Sequence, residues 1–205
     1  MIMLFLFLPA GTFNYPEAWI FSIALFIPLM ITLTYLVKND PALLKRRLRT
    51  DEKEDKQKLL VRLFRIPSIL GFLIPGLDYR YQWSEVPFGF VIFSDIMVML
   101  GYFLVYLVFR ENSYTSRIVE VEKDQTVITT GPYNYVRHPM YTGMIILFLF
   151  ISPALGSWWA MIAFVLVPVT LIFRIYNEES VLHDKLPGYK EYCEKVRYRL
   201  VPYIW

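Results

Sequence analysis

Residues 18–37 read AWIFSIALFIPLMITLTYLV and contain no charged side chain. A helix rises about 1.5 Å per residue and the hydrocarbon core of a bilayer is about 30 Å thick, so this stretch predicts a membrane-spanning helix. The composition of the whole chain agrees, because 56% of its 205 residues are apolar and only 19% are charged. Such a composition excludes a disordered chain and indicates an integral membrane protein.

Three further stretches towards the C-terminus predict spans. Residues 88–109 are apolar except for Asp95, which we expect near the outer interface, paired with Arg80 or water. Residues 141–154 and 157–176 predict a tight helical hairpin, because proline and glycine interrupt the apolar run between them.

The N-terminal half adds two shorter candidates. Residues 59–77 reach the length of a span only if Arg62 and Arg65 extend their side chains to the interface. Residues 1–8 predict a short first helix or a re-entrant piece. Together these stretches predict an all-α integral membrane protein with about five transmembrane helices, which include the C-terminal hairpin and are followed by an amphipathic cytoplasmic tail.

The basic residues predict how the chain is oriented. Of the 21 lysines and arginines, ten lie in residues 38–65, four in residues 110–137 and six in residues 174–205. Alternating spans place these three segments on one side of the membrane, and the positive-inside rule makes that side cytoplasmic. Within the first of these segments, the basic run of residues 42–65 is typical of a solvated juxtamembrane helix that attracts anionic lipid headgroups.

Several classes of protein are excluded. A net charge of +3 is too small to predict nucleic-acid binding, and Cys193 is the only cysteine, so no intrachain disulfide can form. Two histidines 45 residues apart predict no metal site, and no glycine-rich nucleotide motif is present. We therefore expect one membrane-embedded domain over residues 1–205, with N-terminal spans and the basic segment 38–65 in residues 1–109.

The first cluster of candidate functional residues precedes the hairpin. Residues 130–143 read TGPYNYVRHPMYTG, and Pro139 suits the first turn of the helix that follows. A helix N-terminus leaves N–H groups free and carries partial positive charge, so together with Arg137 it predicts a site for a carboxylate or phosphate. A membrane-interface anchor built from tyrosine and arginine is the alternative.

The second cluster is Asn177-Glu178-Glu179, where the last span leaves the membrane. Acidic residues are unfavourable at a helix C-terminus, which indicates either a functional pair or a helix that continues into water. A stripe of mostly apolar residues follows and is interrupted by Pro187-Gly188. It predicts two short helices that lie back against the membrane or the core.

Together the two clusters resemble a known family. The signature Arg-His-Pro-x-Tyr-x-Gly of residues 137–143 is followed by the Glu178-Glu179 pair and by Gly188-Tyr189-x-x-Tyr192. Over residues 110–203 this pattern is similar to the isoprenylcysteine carboxyl methyltransferase family, whose wider group includes the phospholipid N-methyltransferases.

The resemblance implies an S-adenosyl-L-methionine-dependent methyltransferase whose cofactor-binding, catalytic half is residues 110–205. Its cofactor would bind on the cytoplasmic face, and a lipid or lipidated acceptor would enter from the bilayer. The catalytic residues implied are Arg137 and Glu179. The cofactor-binding residues implied are His138, Pro139, Tyr141, Tyr135, Glu178 and Glu179.

The sequence leaves the acceptor open, although a carboxylate is favoured. A carboxylate is already ionised and Arg137 would bind it through two parallel hydrogen bonds, whereas the amine of a phospholipid needs His138 or a glutamate as base. A sterol-reductase-like enzyme that uses NADPH is a second alternative. It requires a basic cluster around the Arg-His-Pro segment, and the neighbouring sequence contains none. A membrane carrier is a weaker alternative, because the paired halves typical of carriers are absent.

Overall fold

The computed structural model describes residues 2–49, 55–119 and 121–205, and for residues 55–65 it describes the backbone alone. Within these residues the chain is entirely helical, in agreement with the predicted fold class. The elements are α1 (Ile2–Ala10), α2 (Pro16–Asn39), α3 (Pro41–Leu48), α4 (Asp55–Tyr81), α5 (Phe88–Glu111), a 3-10 turn (Gly131–Asn134), α6 (Pro139–Ala154), α7 (Ala160–Lys185) and α8 (Tyr189–Lys195).

Three helices, α2, α5 and α7, are long and apolar enough to cross a membrane, and α6 is apolar but shorter. They support a helical membrane protein. The count of five spans stays a prediction, because it depends on α6 and on α4. The prediction that Arg62 and Arg65 reach the interface lies outside the side chains described.

Local sequence explains the helix boundaries near the site. The carboxylate of Asp40 caps α3 by accepting a hydrogen bond from the Leu43 N–H at 2.9 Å. As predicted, α6 begins at Pro139. The hairpin between α6 and α7 turns at Gly156, whose φ of +69° is a left-handed conformation that glycine adopts without strain. Helix α7 continues through Glu178-Glu179 to Lys185, so the acidic pair is helical.

Helices α5 and α6 approach each other most closely at two glycines, Gly101 and Gly143. A Cβ on Gly101 would lie 2.7 Å from the Gly143 carbonyl oxygen, and a Cβ on Gly143 would lie 2.6 Å from the Gly101 carbonyl oxygen. Small residues at facing positions allow membrane helices to pack backbone against backbone. The last residue of the Arg-His-Pro-x-Tyr-x-Gly signature is therefore a packing residue.

We predict that Gly143→Ala destabilises the protein by about 1–3 kcal/mol, because the new methyl group overpacks this contact. Gly89→Ala is the matched control, since a Cβ at this helical glycine meets nothing within 4 Å and alanine favours a helix. Thermal unfolding in detergent measures both variants. Equal melting temperatures for the two would contradict the close packing of α5 and α6.

At the opposite end of the bundle, buried polar groups fasten the hairpin to α4. The Asp78 carboxylate accepts hydrogen bonds from the Ser84 N–H at 2.9 Å, from the Ser84 hydroxyl at 2.6 Å and from the Ser157 hydroxyl. Asp95 is also buried, and its carboxylate has no hydrogen-bond partner among the described residues. The predicted pairing with Arg80 is wrong, because the Arg80 guanidinium lies against Gly11.

Candidate functional site

The Arg-His-Pro segment lies beside the C-terminal segment of the chain. The backbone N–H of Arg137 donates to the Tyr198 carbonyl and that of His138 to the Arg199 carbonyl, both at 2.9 Å. These two bonds place residues 196–200 alongside the start of α6. The local geometry of the signature thus depends on residues some sixty positions further along the chain.

Glu179 contacts three basic side chains, Arg137, His138 and Arg199, and we call this cluster the Glu179 hub. One of its carboxylate oxygens lies 2.8 Å from Arg137 Nε and 3.2 Å from His138 Nε2, and the other accepts from Arg199 Nε at 2.8 Å. The carboxylate is buried, as are Arg137 and His138. Glu179 therefore joins α7, the Arg-His-Pro segment and the C-terminal segment through three basic side chains.

Arg137 is occupied by groups of the protein itself. Besides Glu179, its guanidinium donates to the carbonyl oxygens of Val196 at 3.0 Å and Arg197 at 2.9 Å. Burial alone would lower the pKa of Arg137, but the hydrogen bond and the charge of Glu179 outweigh it and raise this pKa above its usual value. Arg137 is thus charged, and it connects Glu179 on α7 with the carbonyl groups of the C-terminal segment.

A narrow cavity of about 100 Å³ opens on the other side of the segment. We call it the RHP cavity. His138, Pro139 and Tyr141 line one wall, and Arg174 and Glu178 on α7 line the facing wall. The Tyr141 hydroxyl donates to Glu178 Oε2 at 2.6 Å and accepts from Arg174 Nε at 3.0 Å. A chain of charged and hydroxyl groups therefore crosses the floor of the cavity.

The start of α6 presents hydrogen-bond donors to this cavity. Pro139 is the first helical residue, and no side chain caps the helix. Met140 and Tyr141 are lining residues of the cavity, and their backbone N–H groups have no acceptor among the described residues. Such donors at a helix N-terminus favour a bound anionic group.

The segment between α5 and the 3-10 turn forms the roof of the cavity. We call residues 112–119 and 121–128 the cover loop. Basic side chains hold it: Arg46 donates to the Ser113 carbonyl at 2.9 Å, Arg47 to the Ser116 carbonyl at 3.2 Å and Arg174 to the Arg117 carbonyl. The basic run predicted only a solvated juxtamembrane helix. In the structure, two arginines of α3 also hydrogen-bond to the cover loop above the cavity.

Two comparisons with known proteins relate the chain to methyltransferases. A family model described as phospholipid methyltransferase matches residues 90–187. A Schizosaccharomyces pombe protein named Protein-S-isoprenylcysteine O-methyltransferase is 31% identical over 142 residues, which cover 67% of this chain and 55% of that protein. The resemblance to this methyltransferase family is confirmed. The chain spans about half the length of the curated relative it matches.

The match to the phospholipid methyltransferase model covers most of the site. Residues 90–187 include nearly all of α5, the cover loop, the Arg-His-Pro signature and the Glu178-Glu179 pair. Arg47 and Arg199 lie outside the matched residues. Most of the lining of the RHP cavity thus falls within the residues that match the family model, and Tyr189 lies just beyond them.

The structure separates the predicted site residues into three groups. His138, Pro139, Tyr141 and Glu178 line the RHP cavity. Arg137 and Glu179 line neither of the two cavities beside the segment and instead pair with each other. Tyr135 is largely exposed and faces a second, open groove.

Sequence reasoning missed three basic residues near the cavity: Arg47, Arg117 and Arg174. Burial lowers the pKa of Arg47, and it is close enough to Arg174, Arg117 and Glu178 to interact with their charges. The statement that no basic cluster surrounds the signature is therefore wrong. These residues come from α3, the cover loop and α7, so no local spacing in the sequence could have brought them together.

Proposed function

We propose that this chain is an integral membrane methyltransferase that uses S-adenosylmethionine and methylates the carboxylate of a lipidated acceptor. The observation that carries the proposal is the RHP cavity, which combines anion-binding N–H groups, a carboxylate and aromatic side chains within the part of the chain that matches methyltransferases. When bound, the cofactor supplies a methyl group on positively charged sulfur.

The residues of the cavity fit the chemistry of this cofactor. The N–H groups of Met140 and Tyr141, with Arg174 nearby, suit its carboxylate. Glu178 suits its amine or its ribose hydroxyls, and the ring of Tyr133 on the cavity wall suits its adenine or its sulfonium. Each of these groups is supplied by the described cavity, without any rearrangement of the Glu179 hub.

The cavity is small for a ligand of this class. Sites for ligands of this class have volumes of about 300–1,000 Å³, several times the 100 Å³ seen here. The cover loop is held largely by arginine side chains rather than by a backbone ladder. We infer that it swings outward when the cofactor enters.

A carboxylate acceptor agrees with the protonation chemistry of the site. The amine of a phospholipid must lose a proton before it accepts a methyl group, which requires a free base. His138 and Glu179, two of the candidate bases, are engaged with each other and with two arginines. A carboxylate needs no base, and the relative from Schizosaccharomyces pombe is named for O-methylation of a lipidated cysteine.

We also propose that the site faces the cytoplasm. Helix α3, the cover loop and the end of α7 meet at the RHP cavity. All three belong to the segments that contain twenty of the 21 lysines and arginines. The positive-inside rule assigns such segments to the cytoplasmic side.

One observation favours a second candidate function. The cluster of Arg47, Arg117 and Arg174 is the kind of site that binds the phosphate of NADPH, so a reductase is the competing proposal. The two proposals differ in which ligand stabilises the folded protein. A ligand at a hundredfold excess over its dissociation constant contributes about 2.7 kcal/mol.

We predict that S-adenosylmethionine raises the melting temperature of the detergent-solubilised protein and that NADPH does not. S-adenosylhomocysteine, the product that lacks the transferred methyl group, should act like the cofactor, and ATP serves as a control for a general adenine nucleotide effect. Stabilisation by NADPH alone would replace the methyltransferase proposal with the reductase.

A further inference from the structure

A second cavity lies on the opposite side of the Arg-His-Pro segment from the RHP cavity. It is an open groove of about 970 Å³, which we call the lateral groove. Leu104, Leu107 and Arg110 on α5 form one side, and residues 129–132 and 134–136 form another. Pro139 lines both the lateral groove and the RHP cavity, so the two cavities meet at the first residue of α6.

The lateral groove changes in polarity along α5. Leu104 lies seven residues, about 10 Å, before Glu111, the end of a helix apolar enough to span a membrane. The groove thus begins at the depth of lipid chains and ends among polar groups of the 3-10 turn. An amphiphile with one apolar chain and a polar head has the same arrangement.

Arg110 stands at the polar end of the lateral groove. It is exposed, and it forms no ion pair with any residue in the described part of the chain. Its neighbour Glu111 already accepts a hydrogen bond from the Thr130 hydroxyl. The Arg110 guanidinium lies over the Tyr106 ring, 5.9 Å from its centroid, and this cation–π contact leaves its N–H groups available to a ligand carboxylate.

Arg137 lines neither the RHP cavity nor the lateral groove, so a cation that binds a ligand in the groove must come from another residue. The sequence suggested Arg137 as the group that binds the carboxylate of the acceptor, but its guanidinium is held by Glu179 and two carbonyl oxygens. Moving the Arg137 guanidinium away from Glu179 would leave the buried Glu179 carboxylate without one of its ion-pair partners, which would destabilise the protein. The carboxylate of the acceptor needs a cation that is not already part of the fold.

We propose that the lateral groove is the acceptor site and that Arg110 binds the carboxylate of the lipidated acceptor. This inference rests on the proposed function for the class of acceptor. The apolar chain of the acceptor lies against Leu104 and Leu107, and the head lies between Arg110 and Pro139. Arg110 thus selects carboxylate acceptors over neutral ones of the same shape.

The test measures binding rather than turnover. The carboxylate probe is N-acetyl-S-farnesylcysteine and the amide probe is its primary amide, which has the same shape without the charge. Their affinities for the full chain in nanodiscs of zwitterionic lipid are measured without cofactor. We expect the wild type to bind the carboxylate probe about tenfold more tightly, and Arg110→Gln to bind both probes equally.

Two further variants control the interpretation. Arg197→Gln removes an exposed cation whose side chain is outside the groove and should retain the tenfold preference. Leu107→Trp fills the groove and should weaken both probes at least tenfold. A preference for carboxylate that persists in Arg110→Gln, or binding that Leu107→Trp leaves unchanged, would overturn the assignment of the groove.

Calorimetric binding of S-adenosylhomocysteine separates this inference from the proposed function. Binding of that nucleoside by wild type and Arg110→Gln alike, with neither probe bound, would reject the lateral groove and leave the methyltransferase in place. Probes bound as expected, without any binding of the nucleoside, would reject the methyltransferase and leave the groove as a site for lipid carboxylates.

Discussion

Glu179→Gln is expected to destabilise the protein by about 3–5 kcal/mol. The carboxylate is buried and balances Arg137, His138 and Arg199. Glutamine has a similar shape but no charge, so buried Arg137 would lose its counter-ion, and breaking a buried ion pair from one side costs this much. Thermal or chemical unfolding in detergent measures the loss.

The neighbouring residue provides the control for this experiment. Glu178→Gln makes the same chemical change one position earlier on the same helix, where the carboxylate is half-buried and accepts from the Tyr141 hydroxyl. We expect its melting temperature to stay close to that of the wild type. Equal destabilisation by the two variants would contradict the role of Glu179 as the hub.

Glu178→Gln is expected to have its effect on the cofactor instead. A hydrogen bond to a charged group contributes about 1.5–3 kcal/mol, so the affinity for S-adenosylhomocysteine should fall about ten- to hundredfold. Calorimetric titration measures this affinity. Glu194→Gln, at an exposed position on α8, should bind the nucleoside like the wild type.

Unchanged affinity in Glu178→Gln would remove this carboxylate from the cofactor site. A loss of affinity that accompanies a lower melting temperature would point to a folding defect instead. Since the two measurements are made on the same preparation, the role of Glu178 in binding and that of Glu179 in stability are tested independently.

The parts of the fold that could be predicted depend on local sequence. The hairpin follows from an apolar run interrupted by Pro153 and Gly156, and the start of α6 follows from Pro139. The apolar runs also predict α2, α5 and α7 as candidate spans. Each of these features is decided within about twenty residues.

The sequence could not predict that Glu178 lines the cavity while Glu179 pairs with Arg137. Adjacent residues on a helix lie about 100° apart, so one side chain faces the RHP cavity and the other faces the C-terminal segment. Which side each one takes depends on Arg199 and on the carbonyl groups of Val196 and Arg197, which fold back over the Arg-His-Pro segment. The spacing of residues in the sequence does not predict that the C-terminal segment packs against the Arg-His-Pro segment.

The cluster of arginines illustrates the same limit. Arg47 belongs to a basic run whose composition is typical of a membrane-surface helix, and only the packing of α3 under the cover loop brings it to the site. Arg137 shows the reverse case. Its position beside a histidine at a helix start predicted that it binds a ligand anion, whereas in the structure its guanidinium pairs with Glu179.

Methyl transfer to a lipidated carboxylate is tested most directly by following a labelled methyl group. Wild-type protein in nanodiscs is incubated with S-adenosylmethionine labelled in that group, together with the carboxylate probe, the amide probe or a phosphatidylethanolamine. We predict label on the carboxylate probe alone, released as methanol by mild base because the product is an ester. Base-stable label on the phosphatidylethanolamine, with none on the carboxylate probe, would contradict the account.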